Sequence, residues 1–297
     1  MKKAASNIGS AIFHTLSKTL MILCMMSLVS GCAGPKEASA SEENSSTHRE
    51  STAMMAPVKP ADASIKESSA LQEPSEEQIP EPQPTLTQFL KTALIPKDQV
   101  LYVWGGGWNE EDTGGNQETN SMGMSPSWAS FFQENVAGYY FRDHAWKIHD
   151  GLDCSGYVGW TLFNTLNEKR DYVTNSWNCD EMLESLGLGW RKDASEVSEI
   201  LPGDIMTSDR HIYIALGQYA DGSVLLMHSS PPGVRLSGTA GMAYETALGY
   251  QNNPWDPLAD PSYLDYDQFR FYDGALPDPD HLREMNPDGV LYFLLTH

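Results

Sequence analysis

Asp153-Cys154-Ser155-Gly156 stands directly before an apolar run, Tyr157-Val158-Gly159-Trp160-Thr161-Leu162-Phe163. The pattern predicts a helix that starts at Cys154 and runs to about Glu168. A thiol at a helix start faces unpaired backbone N–H groups and the positive end of the helix dipole. Both favour thiolate and are expected to lower the thiol pKa by about one to several units. His211, at the start of a later predicted strand, is placed to take up the proton. A thiol paired with an imidazole is an arrangement for nucleophilic attack on an acyl carbon.

The other chemistry-bearing residues carry weaker signals. Of the four cysteines, Cys24 and Cys32 lie in the N-terminal segment, leaving Cys179 as the one possible disulfide partner for Cys154. An exported chain permits that bond; otherwise Cys179 is a packing residue. Asp143, His144, His149 and Asp150 match no standard metal spacing. Asp278, Asp280 and Asp288 lack the glycine-containing loop with its terminal Glu that calcium sites use. Gly105-Gly106-Gly107 is not followed by Lys-Ser or Lys-Thr, so it is not a phosphate loop. No metal or organic cofactor is expected.

The elements that must position Cys154 and His211 read as helices first and strands later. Helices are predicted near 86–94, around Ser127–Phe132 and over Ser195–Ile200. In the second, Trp128, Phe131, Phe132 and Val136 share a face. Strands are predicted over Asp204–Thr207, His211–Leu216, Val224–Ser229, Val234–Leu236 and Val290–Thr296, an α+β pattern with an antiparallel meander. If Gly217 pairs with Gly222 across the turn, His211 lies opposite His228 on one sheet face. One step of register replaces His228 by Met227 or Ser229.

The N-terminus reads as an address. Lys2 and Lys3 precede an apolar run over Leu20–Val29, then the small residues Ser30 and Gly31. This is the pattern of a secretory signal peptide over residues 1–31, too short to span a bilayer. Val29-Ser30-Gly31-Cys32 resembles a bacterial lipobox, which implies a lipid anchor on Cys32. Residues 32–84 then form a linker rich in Ser, Glu, Ala and Pro, too polar to fold alone. Residues 85–297 are long enough for one domain. A formal net charge of −21 argues against a nucleic-acid partner.

Four motifs in order, Tyr102-Val103-Trp104-Gly105-Gly106, Asp153-Cys154-Ser155-Gly156, Leu201-Pro202-Gly203-Asp204-Ile205 and His211-Ile212-Tyr213-Ile214-Ala215-Leu216-Gly217, resemble those of the NlpC/P60 family. Its members are papain-like cysteine peptidases of bacterial cell walls. The likeness spans most of residues 98–238 and implies a nucleophile at a helix N-terminus packed on an antiparallel sheet. Carried over residue by residue, it makes Cys154 the nucleophile, His211 the general base and His228 the residue that orients the imidazole. It makes the Cys154 N–H part of an oxyanion hole. Tyr102 would border the nucleophile, while Asp153 and Ser155 would hold a substrate amine. Asp153 also suits a helix N-cap. Trp104 borders the same cleft, as a substrate contact or as an aromatic plug beside the turn at Gly105-Gly106.

The implied activity is hydrolysis of an amide in a peptidoglycan stem peptide, between a D-glutamyl residue and a diamino acid. The implied location is the exported, lipid-anchored face of a bacterial envelope. Two alternatives remain: a thiol amidase or acyltransferase on another substrate, and a catalytically inactive wall-binding lipoprotein. The chain departs from the family pattern in two stretches, about 108–150 and 239–288, which read as insertions able to cover or narrow the cleft. Nothing in the sequence identifies a protein partner.

Overall fold

Thr85 starts the first helix, α1, Leu86–Leu94. Its side chain accepts from Gln88 N–H while the Gln88 side chain accepts from Thr85 N–H. Such a capping box stabilises a helix by about 1 kcal/mol. Leu86, Phe89, Leu90 and Ala93 are buried along one face, the three-to-four-residue period of an amphipathic helix. In the computed structural model, residues 83–107, 123–147, 149–166, 172–253 and 255–297 are described. The chain divides into residues 1–74 and 75–297, and all described residues belong to the second unit. The signal peptide, Cys32 and nearly all of the expected linker lie outside the described residues.

Further helices are α2, Pro126–Asn135, and α3, Cys154–Leu166. They are followed by α4, Cys179–Ser185, α5, Gly241–Gly249, and α6, Pro287–Thr296. The strands are β1, Gly189–Lys192, β2, Ile205–Thr207, and β3, Ile212–Gln218. After them come β4, Val224–Ser230, β5, Gly233–Gly238, and β6, Asp267–Phe271. They form one antiparallel sheet in the order β1-β6-β2-β3-β4-β5. The architecture is α+β, as the sequence predicts.

The middle strands are covered on both faces. Ile212, Ile214, Leu216, Leu225 and Met227 join a core with α1 and α3 residues. Tyr213, Ala215, Val224 and Leu226 pack on the other face with Tyr263 and Tyr266. Alternate residues of a strand face opposite sides, so burial of both sides produces the unbroken apolar runs of β3 and β4.

Several elements differ from the sequence prediction. Residues 290–296 are helical, not a strand: Asn286 accepts from Gly289 N–H at 2.8 Å, Pro287 fills the first turn, and Val290, Leu291 and Leu294 are buried. A short apolar run does not itself distinguish strand from helix; the cap decides. The helix expected over Ser195–Ile200 shrinks to a 3-10 turn, Ala194–Glu196, followed by extended chain. Pro202 soon after disfavours helical continuation. The 239–288 stretch is not an external insertion, because it supplies α5 and β6, and β6 lies inside the sheet between β1 and β2.

A buried ion pair ties that long-range strand to the motif at Leu201-Pro202-Gly203-Asp204. Asp204 Oδ1 accepts from Arg270 Nε at 2.7 Å, and Oδ2 accepts from Arg270 Nη2 at 2.8 Å. Gln268 Nε2 and Leu201 N–H also donate to Oδ2, each at 2.7 Å. Asp204 is therefore a structural anchor that joins β6 to the residues just before β2.

Candidate active site

Backbone contact brings the Trp-Gly-Gly segment against the start of α3. A Cβ on Gly156 would fall on the carbonyl oxygen of Gly106, and one on Gly106 would fall on that of Gly151. Only glycine allows this approach. Asp153 N–H donates to Gly106 O at 2.9 Å. Asp153 Oδ1 accepts from Gly156 N–H at 2.8 Å and from Ser155 Oγ at 3.0 Å. Asp153 is thus an N-cap of α3, and Ser155 is committed to the same carboxylate. Burial raises the Asp153 pKa, while hydrogen bonds from Gly156, Ser155 and Gly105 act the other way.

Cys154 opens α3, as expected, and is half-buried with a free thiol. Cys179 is buried and also free, so no disulfide joins them. The thiol is not acidified as its helix position suggests. Burial pushes its pKa up to about 12, and the Asp153 charge adds to the rise. Backbone N–H groups of Ser155, Ile212 and Cys154 itself oppose it. Loss of hydration outweighs the helix terminus here.

The Ile212 N–H that reaches toward the thiol directly follows His211. A turn fixes that histidine: Ser208 N–H donates to His211 O at 3.0 Å, and His211 N–H donates to Ser208 Oγ at 3.1 Å. His211 Nε2 and His228 Nδ1 are 2.8 Å apart in one hydrogen bond. His211 Nδ1 has no hydrogen bond among the described residues.

The two histidines share a face, but not by the expected pairing. A bulge between Ala215 and Gly217 shifts β3 against β4, so Ile214 pairs with Met227 and Gly217 with Leu225. His228 then falls across from Tyr213, with His211 diagonal to it. On the histidine side of the bulge the pairing differs from the expected one by two residues, and an even difference keeps side chains on their face.

Tyr102 forms an isolated bridge with Leu152, next to Asp153. Its phenol is buried, which raises its pKa, and the charges of Cys154 and Asp153 add to that rise. Its hydroxyl makes no hydrogen bond among the described residues, which leaves a donor near the thiol. Tyr266 also lies within electrostatic reach of Cys154. Trp104 is not a plug: it is 51% exposed. Its carbonyl accepts from Trp146 N–H at 3.0 Å, and Trp146 is 70% exposed. From the 108–150 stretch, Tyr139 donates to Tyr102 O at 2.7 Å, and Trp128 packs edge-on against Trp160 of α3. That stretch therefore borders the site; residues 108–122 lie outside the described set.

Three neighbours of the histidines carry no motif. Tyr263 stacks on His211 with ring centroids 5.1 Å apart. Ser237 Oγ lies 2.9 Å from His228 Nε2. Arg235 pairs with His228 across β4 and β5 and donates to Asp256 O and Pro231 O. Tyr263 comes from an Asp- and Pro-rich stretch with no periodic signal. Ser237 becomes visible only once the β4–β5 register is known.

Burial lowers the His211 pKa to about 4; Arg235 acts in the same direction and Asp260 against it. Burial, then the charges of His211 and Arg235, keeps His228 well below the ordinary histidine value. At neutral pH the site holds a thiol and two neutral imidazoles. A histidine whose folded pKa is depressed below its unfolded value of 6.5 leaves stability intact above that value. Stability is lost as pH falls through the folded one. For His211 the loss is about 3 kcal/mol. Thermal melts of wild type and His211→Gln between about pH 7 and pH 4 are expected to show a shallower acid loss in the variant.

Asp278 and Asp288, considered for calcium, are engaged elsewhere. Asp278 accepts from Leu282 and Arg283 N–H, and Asp288 accepts from Tyr219 and Thr246 hydroxyls. Among the described residues no group of three or more His, Cys, Asp or Glu is arranged to hold a metal ion. No helix among them is long and apolar enough to cross a membrane. Compared with protein-family models, curated proteins and solved structures, the chain gives no match.

Proposed function

We propose that the chain is an exported, papain-like cysteine peptidase of NlpC/P60 type that cleaves an amide in a peptidoglycan stem peptide. The observation that carries the reading is the Ile212 N–H, next to His211, reaching the Cys154 thiol at the start of α3, with His211 hydrogen-bonded to His228. The bond implied by the resemblance joins a D-glutamyl residue to a diamino acid. The expected lipid anchor on Cys32 would hold the enzyme at the envelope, with the peptide as its partner.

The neutral resting site favours general-base chemistry over a preformed thiolate. As the sulfur attacks the carbonyl carbon, the thiol proton moves to His211 Nδ1. The C–N bond then breaks, the leaving amine takes that proton, and an acyl-enzyme remains. Water, deprotonated by His211, releases the acid and restores the thiol. The Cys154 N–H and the Tyr102 hydroxyl are the donors for the developing oxyanion, each contributing about 3 kcal/mol in comparable sites. Trp104 and Trp146 are exposed surfaces for substrate beyond the scissile bond.

Digestion of purified peptidoglycan by the domain, with mass spectrometry of the products, tests the reading. Released stem-peptide fragments are expected, and their masses identify the bond. No release from several wall types by folded protein overturns it. One observation favours a second reading, a catalytically silent wall-binding protein: Tyr263 covers His211, and burial holds both the thiol and the imidazole neutral. Wall binding without fragments is its signature.

A further inference from the structure

We infer that Ser237 is a positioning residue, the far end of a hydrogen-bonded chain His211–His228–Ser237 beside Cys154, and that it holds His211 in the tautomer able to accept the thiol proton. The inference rests on the thiol–imidazole reading of the site and not on the identity of the substrate.

The three groups beyond the thiol lie side by side across adjacent strands. His211 directly precedes β3, His228 lies on β4 and Ser237 on β5. His211 Nε2 is 2.8 Å from His228 Nδ1, and His228 Nε2 is 2.9 Å from Ser237 Oγ. Leu258 N–H donates to Ser237 Oγ at 3.1 Å. His228 and Ser237 are both fully buried, so no solvent reaches this end of the chain to replace a missing partner.

Proton counting then fixes the arrangement. To accept the thiol proton, His211 Nδ1 must be bare, so the proton of the neutral ring sits on Nε2. After transfer both nitrogens carry protons, and Nε2–H remains a donor. In either state His228 Nδ1 must accept. His228 is neutral, so its single proton lies on Nε2 and must be donated to Ser237 Oγ. A serine oxygen has two lone pairs: one takes Leu258 N–H and the other takes His228 Nε2–H. With alanine at 237, the His228 proton on Nε2 becomes a buried donor without a partner. The opposite tautomer, with the His228 proton on Nδ1, places the proton of neutral His211 on Nδ1 and removes the base.

Iodoacetamide alkylation of Cys154 tests this in the full chain, read on the Cys154 peptide by mass spectrometry from about pH 6 to pH 10. The charged groups around the chain, Asp153, Asp260 and Arg235, and the phenols of Tyr102, Tyr263 and Tyr266, are unchanged by the variant. Ser237→Ala is expected to alkylate roughly tenfold more slowly near neutral pH, the scale of one buried donor left without a partner. Its profile is expected to shift to higher pH, because the imidazolium that accompanies the thiolate loses support. Nitrogen-15 NMR of histidine-labelled wild type provides a measurement that needs no variant, and is expected to find the His228 proton on Nε2. A Ser237→Ala profile that superimposes on wild type, or a His228 proton on Nδ1, overturns the assignment. Failure of wild-type Cys154 to alkylate at any pH removes the thiol–imidazole reading as well, whereas failure to digest peptidoglycan leaves the Ser237 result standing.

Discussion

Cys154→Ala is expected to lower stem-peptide hydrolysis by at least about 10⁴-fold, the scale seen when a nucleophile is removed from a catalytic triad. The reaction as proposed forms a sulfur–carbon bond, and no other described thiol can replace this one because Cys179 is fully buried on α4. His211→Ala is expected to cause a loss of similar size. The double variant should fall little further, since residues that act as a unit are not additive. The fold should survive in Cys154→Ala, because the thiol is half-buried and the α3 cap comes from Asp153. Fragment release measured beside a thermal melt separates lost chemistry from lost structure. Wild-type hydrolysis by folded Cys154→Ala would sink the mechanism.

Asp204→Ala is expected to be the most destabilising change outside the apolar core, costing about 3–5 kcal/mol. Asp204 is fully buried and accepts from both Arg270 Nε and Nη2. Removing it leaves the Arg270 guanidinium, whose side chain is 12% exposed, without its closest counter-charge. It also strips an acceptor from Leu201 N–H and from Gln268. For a domain of this size the loss corresponds to a fall in melting temperature of roughly 10 °C. Asp204→Asn, which keeps one acceptor oxygen, should fall less. A melting temperature within about 2 °C of wild type for Asp204→Ala would show that the pair contributes little net stability.

The chemistry-bearing motifs were legible because each is short and locally encoded. Asp153 ahead of Cys154 predicts a cap and a helix start, and both are present. The turn expected at Gly105-Gly106 is present, with Gly106 N–H donating to Val103 O at 2.8 Å, whereas the close backbone approach at Gly106 and Gly156 is seen only in the structure. The expected activation of Cys154 did not follow from the same motif. A helix terminus acts within one turn, whereas hydration depends on everything packed around the sulfur, including residues far away in sequence. The covering of His211 was illegible for a related reason. Tyr263 reaches it from a 3-10 turn, Pro261–Leu264, in a stretch that reads as an acidic insertion.

The sequence alone determined the α+β class and the helix that begins at Cys154, and offered the shared face of His211 and His228 only on condition of a register. Helix caps and the two-residue alternation of strands are local rules. The facial assignment survived a wrong register because the error was even. Tertiary structure alone decided the diagonal meeting of the histidines, the insertion of β6 between β1 and β2, the Ser237 contact and the protonation of the resting site. Each depends on pairing or burial between residues distant along the chain. A bulge at Ala215–Gly217 sets the register, and burial of the thiol and the imidazoles sets their charge.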